Sequence, residues 1–304
     1  THENEYPTTH TYNTPTTLKG ATRDGYDFAG WFATSDCSSE PVITLGSTEY
    51  TADITLYAKW EAKDYTITLD PQEGSGGTVS VSAKSGSPLP TIELPMYEAY
   101  DFGGYFDKIG GQGTQYYKPD GTSAKNWDKG TDATLYAHWI PTEYVITYEL
   151  NGGTNHASNP ATYNITDEVI LQTPTYKGYT FLGWYESVDF AGEVISSIPK
   201  GSTGSKTFYA KWEIGTYTIT LDIQGGTGGT ETVSVTYGSA MPTITVPTRE
   251  GYLFDGYYDQ TGGKGTKYYN ADGTNVKNWD KENATLYAKW ISHSDCVFFK
   301  NNLK

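Results

Sequence analysis

Acid–base or nucleophilic catalysis needs ionisable groups that a fold can bring together, and the histidines are the first candidates. His2, His10, His138, His156 and His293 are scattered. His138 replaces the lysine of a recurring Tyr-Ala-Lys-Trp phrase, and the other four fall in loops or tails. No shared hydrolase triad can be assembled from them. Carboxylates such as Asp70, Glu73 and Asp222 recur beside turns, where they cap and solvate. None is paired with another across a cleft, as glycoside hydrolysis requires. The expectation is a chain without catalytic residues. Two groups are better suited to a hard cation: Asp120-Gly121-Thr122 with Asp128, and Asp272-Gly273-Thr274 with Asp280, place oxygens beside a tight turn. Structural calcium is the ion such clusters take. Yet Asp-Gly is also a hairpin turn signal, and the spacing matches no calcium loop closed by a bidentate glutamate. No metal ligand is assigned, and no cofactor is expected.

The densest chemistry lies in two phrases, GTQYYKPDGTSAKNW at 113–127 and GTKYYNADGTNVKNW at 265–279. Locally they resemble the choline- and glucan-binding repeats of cell-wall proteins. That resemblance implies aromatic cages that hold a quaternary ammonium by cation–π attraction, or a carbohydrate. The ligand-binding residues it points to are Tyr116, Tyr117, Trp127, Tyr268, Tyr269 and Trp279. The likeness is local, because those repeats are far shorter and build cages between neighbours. The competing reading is a hairpin whose aromatics pair across strands. Glycine runs at 74–77 and 225–229 lead into neither a lysine-threonine pair nor a helix, so they read as turns rather than phosphate loops.

The elements that must position these residues are strands. Aromatic residues make up 15% of the 304 positions, and 27 tyrosines, 34 glycines and 14 prolines favour strands and turns over helices. A net charge of −15 excludes a cationic footprint for nucleic acid or anionic lipid. No apolar run is long enough for a membrane-spanning helix, and the start lacks a signal-peptide pattern, so no membrane insertion is expected. Cys37 and Cys296 cannot form a disulfide framework and are not expected to pair within one chain. A nearly thiol-free, acidic, Thr/Tyr/Gly-rich composition suits an extracellular setting.

An internal repeat organises the chain. TLYAKW ending at Trp60, TLYAHW at Trp139, TFYAKW at Trp212 and TLYAKW at Trp290 mark four module ends, roughly 75 residues apart. The expected domains are 1–62, 63–141, 142–214 and 215–292, with a tail at 293–304. The modules alternate in type. In the second and fourth, Phe102, Tyr105, Tyr116 and Trp127 recur at a constant offset as Phe254, Tyr257, Tyr268 and Trp279. The first and third share GYDFAGWF and GYTFLGWY, with a shorter following loop. In the third, YVITYEL at 144–150 alternates with period two and is turned by Asn151-Gly152-Gly153. Further strands are expected at 161–165, 179–185 and 207–212, with a helical turn at 194–198. Strict alternation sends Tyr179, Phe181 and Gly183 to one face and Thr180, Leu182 and Trp184 to the other.

YVITYELNGGT, PTYKGYTFLGWY and KTFYAKW together resemble the Listeria–Bacteroides repeat, also called the internalin-type B repeat. The second and fourth modules look like long-loop variants, and the resemblance covers about residues 1–290. It implies a compact β-grasp-like, ubiquitin-like module, found in tandem on bacterial surface and secreted proteins, with no catalytic residues to carry over. The fold class expected is therefore mainly β, α+β at most, as small β-grasp-like modules in an elongated array. The function expected is a stalk, spacer or adhesive segment at the bacterial cell surface. Its partners would be a host or neighbouring-cell surface protein or a glycan. Thr1 to Pro7 align with Thr154 to Pro160, after the Asn-Gly-Gly turn, so the first strand of module one is expected to be missing. The tail around Val297-Phe298-Phe299 looks like a first strand without a module, which raises head-to-tail self-association through strand addition.

Overall fold

The computed structural model describes residues 6–293. Its elements are strands joined by turns, with two short 3-10 turns at Ile109–Gly111 and Thr261–Gly263, so the chain is mainly β. The tail, with Cys296 and the strand expected there, lies outside the described residues. The chain divides into two compact units, Thr1–Thr142 and Glu143–Lys304, each holding two repeats.

In the second unit, module three forms a sheet in the order Thr162–Tyr163, Tyr144–Glu149, Lys206–Ile214, Tyr179–Tyr185. The first and last strands lie side by side and parallel, in register Ile146↔Lys206 to Glu149↔Tyr209. The other ladders are antiparallel. Module four extends this plan: Thr232–Thr236, Thr216–Asp222, Ala284–Ser292, Tyr252–Tyr258, and a fifth strand, Lys267–Tyr269, from its longer loop. In the first unit, module two has the same five-strand order: Ser80–Lys84, Asp64–Asp70, Ala133–Pro141, Tyr100–Phe106, Gln115–Tyr117. Alternation explains the inner positions. In Asp64–Asp70, Ile67 and Leu69 are buried while Thr66 and Thr68 face solvent.

Module one keeps less of the sheet. Pro41–Val42, Tyr26–Phe32 and Tyr57–Ala62 pair in that order, and Thr16–Thr17 pairs with Thr44–Leu45. Among the described residues, no strand lies beside Tyr57–Ala62 where the other modules place their first strand.

Two expectations are corrected. The segment 194–198 is not helical: Ile195 bridges to Trp184 and Ser197–Ile198 pairs with Val169–Ile170, because Pro199 and the adjacent sheet favour extended backbone. The two faces of Tyr179–Tyr185 also do not alternate strictly. A bulge between Phe181 and Gly183, with Gly183 at φ 145°, inserts one residue and brings Phe181 and Trp184 to the same face, ring centroids 5.4 Å apart. The same offset recurs in every module, as Phe28–Trp31, Phe102–Tyr105 and Phe254–Tyr257. The closing tryptophan of the repeat completes this cluster, with Trp212 at 5.3 Å from Phe181. Its indole N–H donates to the carbonyl of Leu150, at the end of the first strand, at 2.8 Å. Trp139 and Trp290 make the matching bonds to Pro71 and Ile223.

The joints inside each unit are short. Within each unit one residue separates the last strand of one module from the first of the next, Lys63 in the first unit and Gly215 in the second. Each is held from both sides. Lys63 donates to the Gly25 carbonyl at 2.9 Å and accepts from Ser85 at 3.0 Å. Gly215 donates to Gly178 at 2.8 Å and accepts from Tyr237 at 2.9 Å.

Candidate functional site

The six aromatic residues named from the sequence sit on the hairpin loop peculiar to modules two and four. Asp120-Gly121 and Asp272-Gly273 form its tip, with Gly121 and Gly273 at φ 79° and 83°. There Asp120 accepts the backbone N–H and the hydroxyl of Thr122 at 2.9 and 2.6 Å, and Asp272 does the same with Thr274. This local carboxylate bonding is an ordinary turn device. It returns the chain so that the Asn-Trp phrase packs under the two tyrosines.

All six rings are buried, the most exposed being Tyr116 at 2%. Tyr116 lies 5.1 Å from Trp127, and Tyr268 lies 5.1 Å from Trp279, both tilted. Tyr117 and Tyr269 donate their hydroxyls to the carbonyls of Pro90 and Pro242 at 3.0 and 2.8 Å. Tyr116 and Tyr268 donate to Asp128 and Asp280 at 2.6 and 2.8 Å. Lys125 and Lys129 lie 5.4 and 5.6 Å from the Tyr116 ring centroid, as Lys277 and Lys281 do over Tyr268 at 5.4 and 5.5 Å. The cation that an aromatic cage would recruit from solution is thus supplied by the chain's own lysines. The structure brings the named residues together as a core, with the four tyrosine hydroxyls turned to carbonyls and carboxylates.

The carboxylates follow the same logic. Asp128 pairs with Lys125 and Asp280 with Lys277, the latter at 2.6 Å, so these two serve the hairpin rather than facing Asp120 or Asp272. Among the described residues, no three His, Cys, Asp or Glu side chains converge as metal ligands would. Asp107 is more deeply set. It accepts the Thr114 N–H at 2.7 Å and pairs with Lys129 at 2.8 Å, and in module four Asp259 accepts Thr266 and pairs with Lys281.

The Lys129 ammonium, then the Thr114 amide, hold the Asp107 carboxyl below its ordinary value of 3.8. Burial alone would raise Asp259, but Lys281 and the Thr266 amide overcome it and leave it lowered. A depressed native value contributes stability that is present above the unfolded value, near pH 4, and is lost as pH falls through the native one. Modules two and four should therefore lose stability as pH falls below about 4. The Asp107→Asn and Asp259→Asn variants should each flatten that loss by about 1 kcal/mol in thermal melts across this range. An acid profile unchanged by both substitutions would show that these pairs do not govern it.

Four buried polar atoms in this region lack a protein partner, the Tyr105 and Tyr257 hydroxyls and the indole N–H groups of Trp127 and Trp279. Burial, then the Asp70 charge, pushes the Tyr105 phenol up to about 12, and burial with Asp222 does the same for Tyr257. Such phenols hold their protons at neutral pH and have no poise for acid–base work.

The sequence reading missed a second aromatic device. Before the third strand of each module, a side chain lies over that strand's first tyrosine. Arg23 sits 3.9 Å above Tyr26 and Arg249 4.2 Å above Tyr252, while Tyr97 and Tyr176 stack on Tyr100 and Tyr179 at 4.5 and 4.1 Å. Tyr97 and Tyr176 also meet the closing tryptophans edge-on, Trp139 and Trp212 at 5.6 and 5.5 Å. The signal was present in ATRDGY, PMYEAY, PTYKGY and PTREGY, where the third residue is arginine or tyrosine, both able to cover a ring.

Comparison with known proteins gives a consistent picture. The Listeria-Bacteroides repeat domain model matches four times in succession, over residues 1–59, 65–138, 144–211 and 217–289. A protein of Evansella cellulosilytica named "Putative Gly-rich membrane protein" is 30% identical over 296 residues, covering 92% of this chain and 31% of the relative. A second protein of that organism, "Putative membrane protein", is 30% identical over 82% of this chain and 35% of its own length. Internalin H of Listeria monocytogenes is 36% identical over 122 residues, 40% of this chain and 21% of the internalin. The chain thus spans about a third or less of the length of these curated relatives.

Proposed function

The chain belongs to the Listeria-Bacteroides repeat family, and on that premise we propose that it is a non-catalytic repeat region of a bacterial cell-surface protein. It acts as a stalk, spacer or adhesive segment, outside the cell, for partner-binding parts of a longer protein. A surface protein or glycan of a host or neighbouring cell is the class of partner that such a region presents or meets. The observation that carries this reading is the burial of the candidate ligand-binding rings: Tyr116, Tyr117, Trp127 and their counterparts are spent on packing. Internalin H, which shares part of the chain, and the relatives named as membrane proteins support a surface setting. Among the described residues, no helix is long and apolar enough to cross a membrane. In fold terms we read modules two, three and four as β-grasp variants. The support is the strand order second, first, last, third with the first and last strands parallel, and an extended segment crosses where that fold carries a helix.

The test is a choline and glycan binding screen of the intact chain, read by quenching of tryptophan fluorescence and by calorimetry. No saturable binding at the Tyr116 or Tyr268 rings is expected. Saturable binding that rises when Lys277→Met and Lys281→Met uncover the Tyr268 ring would overturn the spacer reading in favour of a ligand-binding module.

A further inference from the structure

Of the asparagines in the sequence, only Asn151 precedes a glycine. A glycine amide has no side chain to shield it, so its nitrogen can attack the side-chain amide of the asparagine before it. The Gly152 nitrogen gives up its proton and bonds to Asn151 Cγ, closing a five-membered imide. The Cγ–Nδ2 bond breaks, and ammonia leaves with that proton. Water then opens the ring at either carbonyl, which leaves aspartate or isoaspartate. Both residues are exposed, so water reaches them.

The fold withholds the first step. Asn151 and Gly152 form a tight turn at φ 49° and 97°, closed by the Gly153 N–H on the Leu150 carbonyl at 3.0 Å. The Asn151 Nδ2 group donates to the Ala210 carbonyl, on the closing strand Lys206–Ile214, at 2.9 Å. Ring closure requires this side chain to swing off Ala210 and the peptide plane between the two residues to rotate. Neighbours oppose both movements. A Cβ on Gly152 would come within 2.8 Å of the Tyr176 hydroxyl, and one on Gly153 would meet the Trp212 ring, so the turn is wedged between two aromatics. Trp212 also donates to Leu150 at 2.8 Å, and Thr154 exchanges two backbone bonds with Thr175 just beyond the turn. Freeing the turn therefore means loosening the first strand of module three from its closing strand.

Modules two and four are built differently at this point. Their left-handed positions hold Gln72 and Gln224, at φ 56° and 48°, with backbone N–H groups bonded to Asp70 and Asp222 at 2.8 and 2.9 Å. A glutamine is one methylene longer and would have to close a six-membered ring, which forms far more slowly. Gln72 is also followed by Glu73, whose side chain shields the attacking nitrogen.

We infer that Asn151 is a covalent modification site gated by the opening of module three: it is protected while the repeat is folded and is converted to aspartate or isoaspartate once the repeat opens. The converted residue has no donor for the Ala210 carbonyl, and isoaspartate also lengthens the backbone of the turn by one carbon. The repeat then recloses less firmly. Module three thus keeps a record of its own opening, whereas modules two and four return unmarked.

The experiment is incubation of the intact chain at mildly alkaline pH, followed by proteolysis and mass mapping of the peptides, with a synthetic peptide of residues 148–154 as the unprotected reference. Asn151 should convert at least about a hundredfold more slowly in the folded chain than in the peptide, equivalent to ~3 kcal/mol at roughly 1.4 kcal/mol per tenfold. Trp184→Ala should bring the rate to that of the peptide, and Trp127→Ala, in the first unit, should leave it slow. Gln72 and Gln224 should stay unconverted throughout. As a separate readout, Asn151→Asp should speed amide exchange across Tyr144–Glu149 about tenfold. Conversion at the peptide rate in the wild-type chain, or no acceleration in Trp184→Ala, would overturn the gating. Unchanged exchange in Asn151→Asp would overturn the lasting effect of the mark.

Discussion

Replacing Trp184 by alanine should unfold module three at physiological temperature. The indole is 1% exposed, is packed against Phe181 and Tyr148 at 5.4 and 5.3 Å, and donates to the Gln172 carbonyl at 3.2 Å. Truncation leaves a cavity the size of the two-ring system and strips both aromatics of a partner, a loss of about 3–5 kcal/mol. That is a large fraction of what a module of this size has to lose. Among the described residues, the core of module three has eight buried hydrophobic side chains, Trp184 among them, so relaxation around the cavity has little to draw on. Amide exchange should show loss of protection across Tyr144–Glu149 and Lys206–Ile214, with the repeats of the first unit unaffected. A single transition in which all four repeats melt together would instead mean that the joints transmit unfolding, and the independent-module description would fail.

Gly256→Ala should be nearly as damaging despite adding one carbon. Gly256 sits at the bulge of Tyr252–Tyr258 with φ 146°, and a Cβ there would fall on the carbonyl oxygen of Tyr269, far inside van der Waals contact. Backbone strain and the clash with a strand that cannot move without breaking the Tyr257↔Tyr269 pair should cost about 2–4 kcal/mol. The control is Gly262→Ala, also at positive φ but with open space around its Cβ, which should cost about 1 kcal/mol. Denaturant melts of the two variants separate the causes. Equal losses would assign the effect to backbone conformation alone and remove the steric role of the bulge.

That bulge also explains which parts of the fold were legible in the sequence. The repeat phrases, the period-two strand at 144–150, and the turn at Asn151 and Gly152 could be read directly, because each rests on neighbours in sequence. The face of Trp184 could not, since alternation is broken by one glycine whose need for positive φ shows only against the partner strand. The segment around Ile195 carried a plausible helical composition, yet its fate was decided by Trp184, whose backbone it bridges. For the candidate site, the sequence grouped six rings on the hairpin loop of modules two and four. It could not say that they point inward, because burial depends on the long-range pairing of Lys267–Tyr269 with Tyr252–Tyr258. The joints were hidden for a similar reason. Nothing in Ala62-Lys63-Asp64 announces that a lone residue is bonded on both sides.

The parallel pairing of the opening and closing strands in modules two, three and four governs how these repeats carry tension. In module two the chain enters at Asp64, at one end of the central ladder, and leaves at Pro141, at the other. A pull on entry and exit drives the two strands past each other lengthwise. The bonds joining Ile67 to Ala133 and Asp70 to Tyr136 are then loaded together rather than peeled one after another. Because the bond count under load scales with the overlap of those two strands, the shear strength of a repeat is set by a short stretch of backbone, while its thermal stability is set by the aromatic rings beneath it.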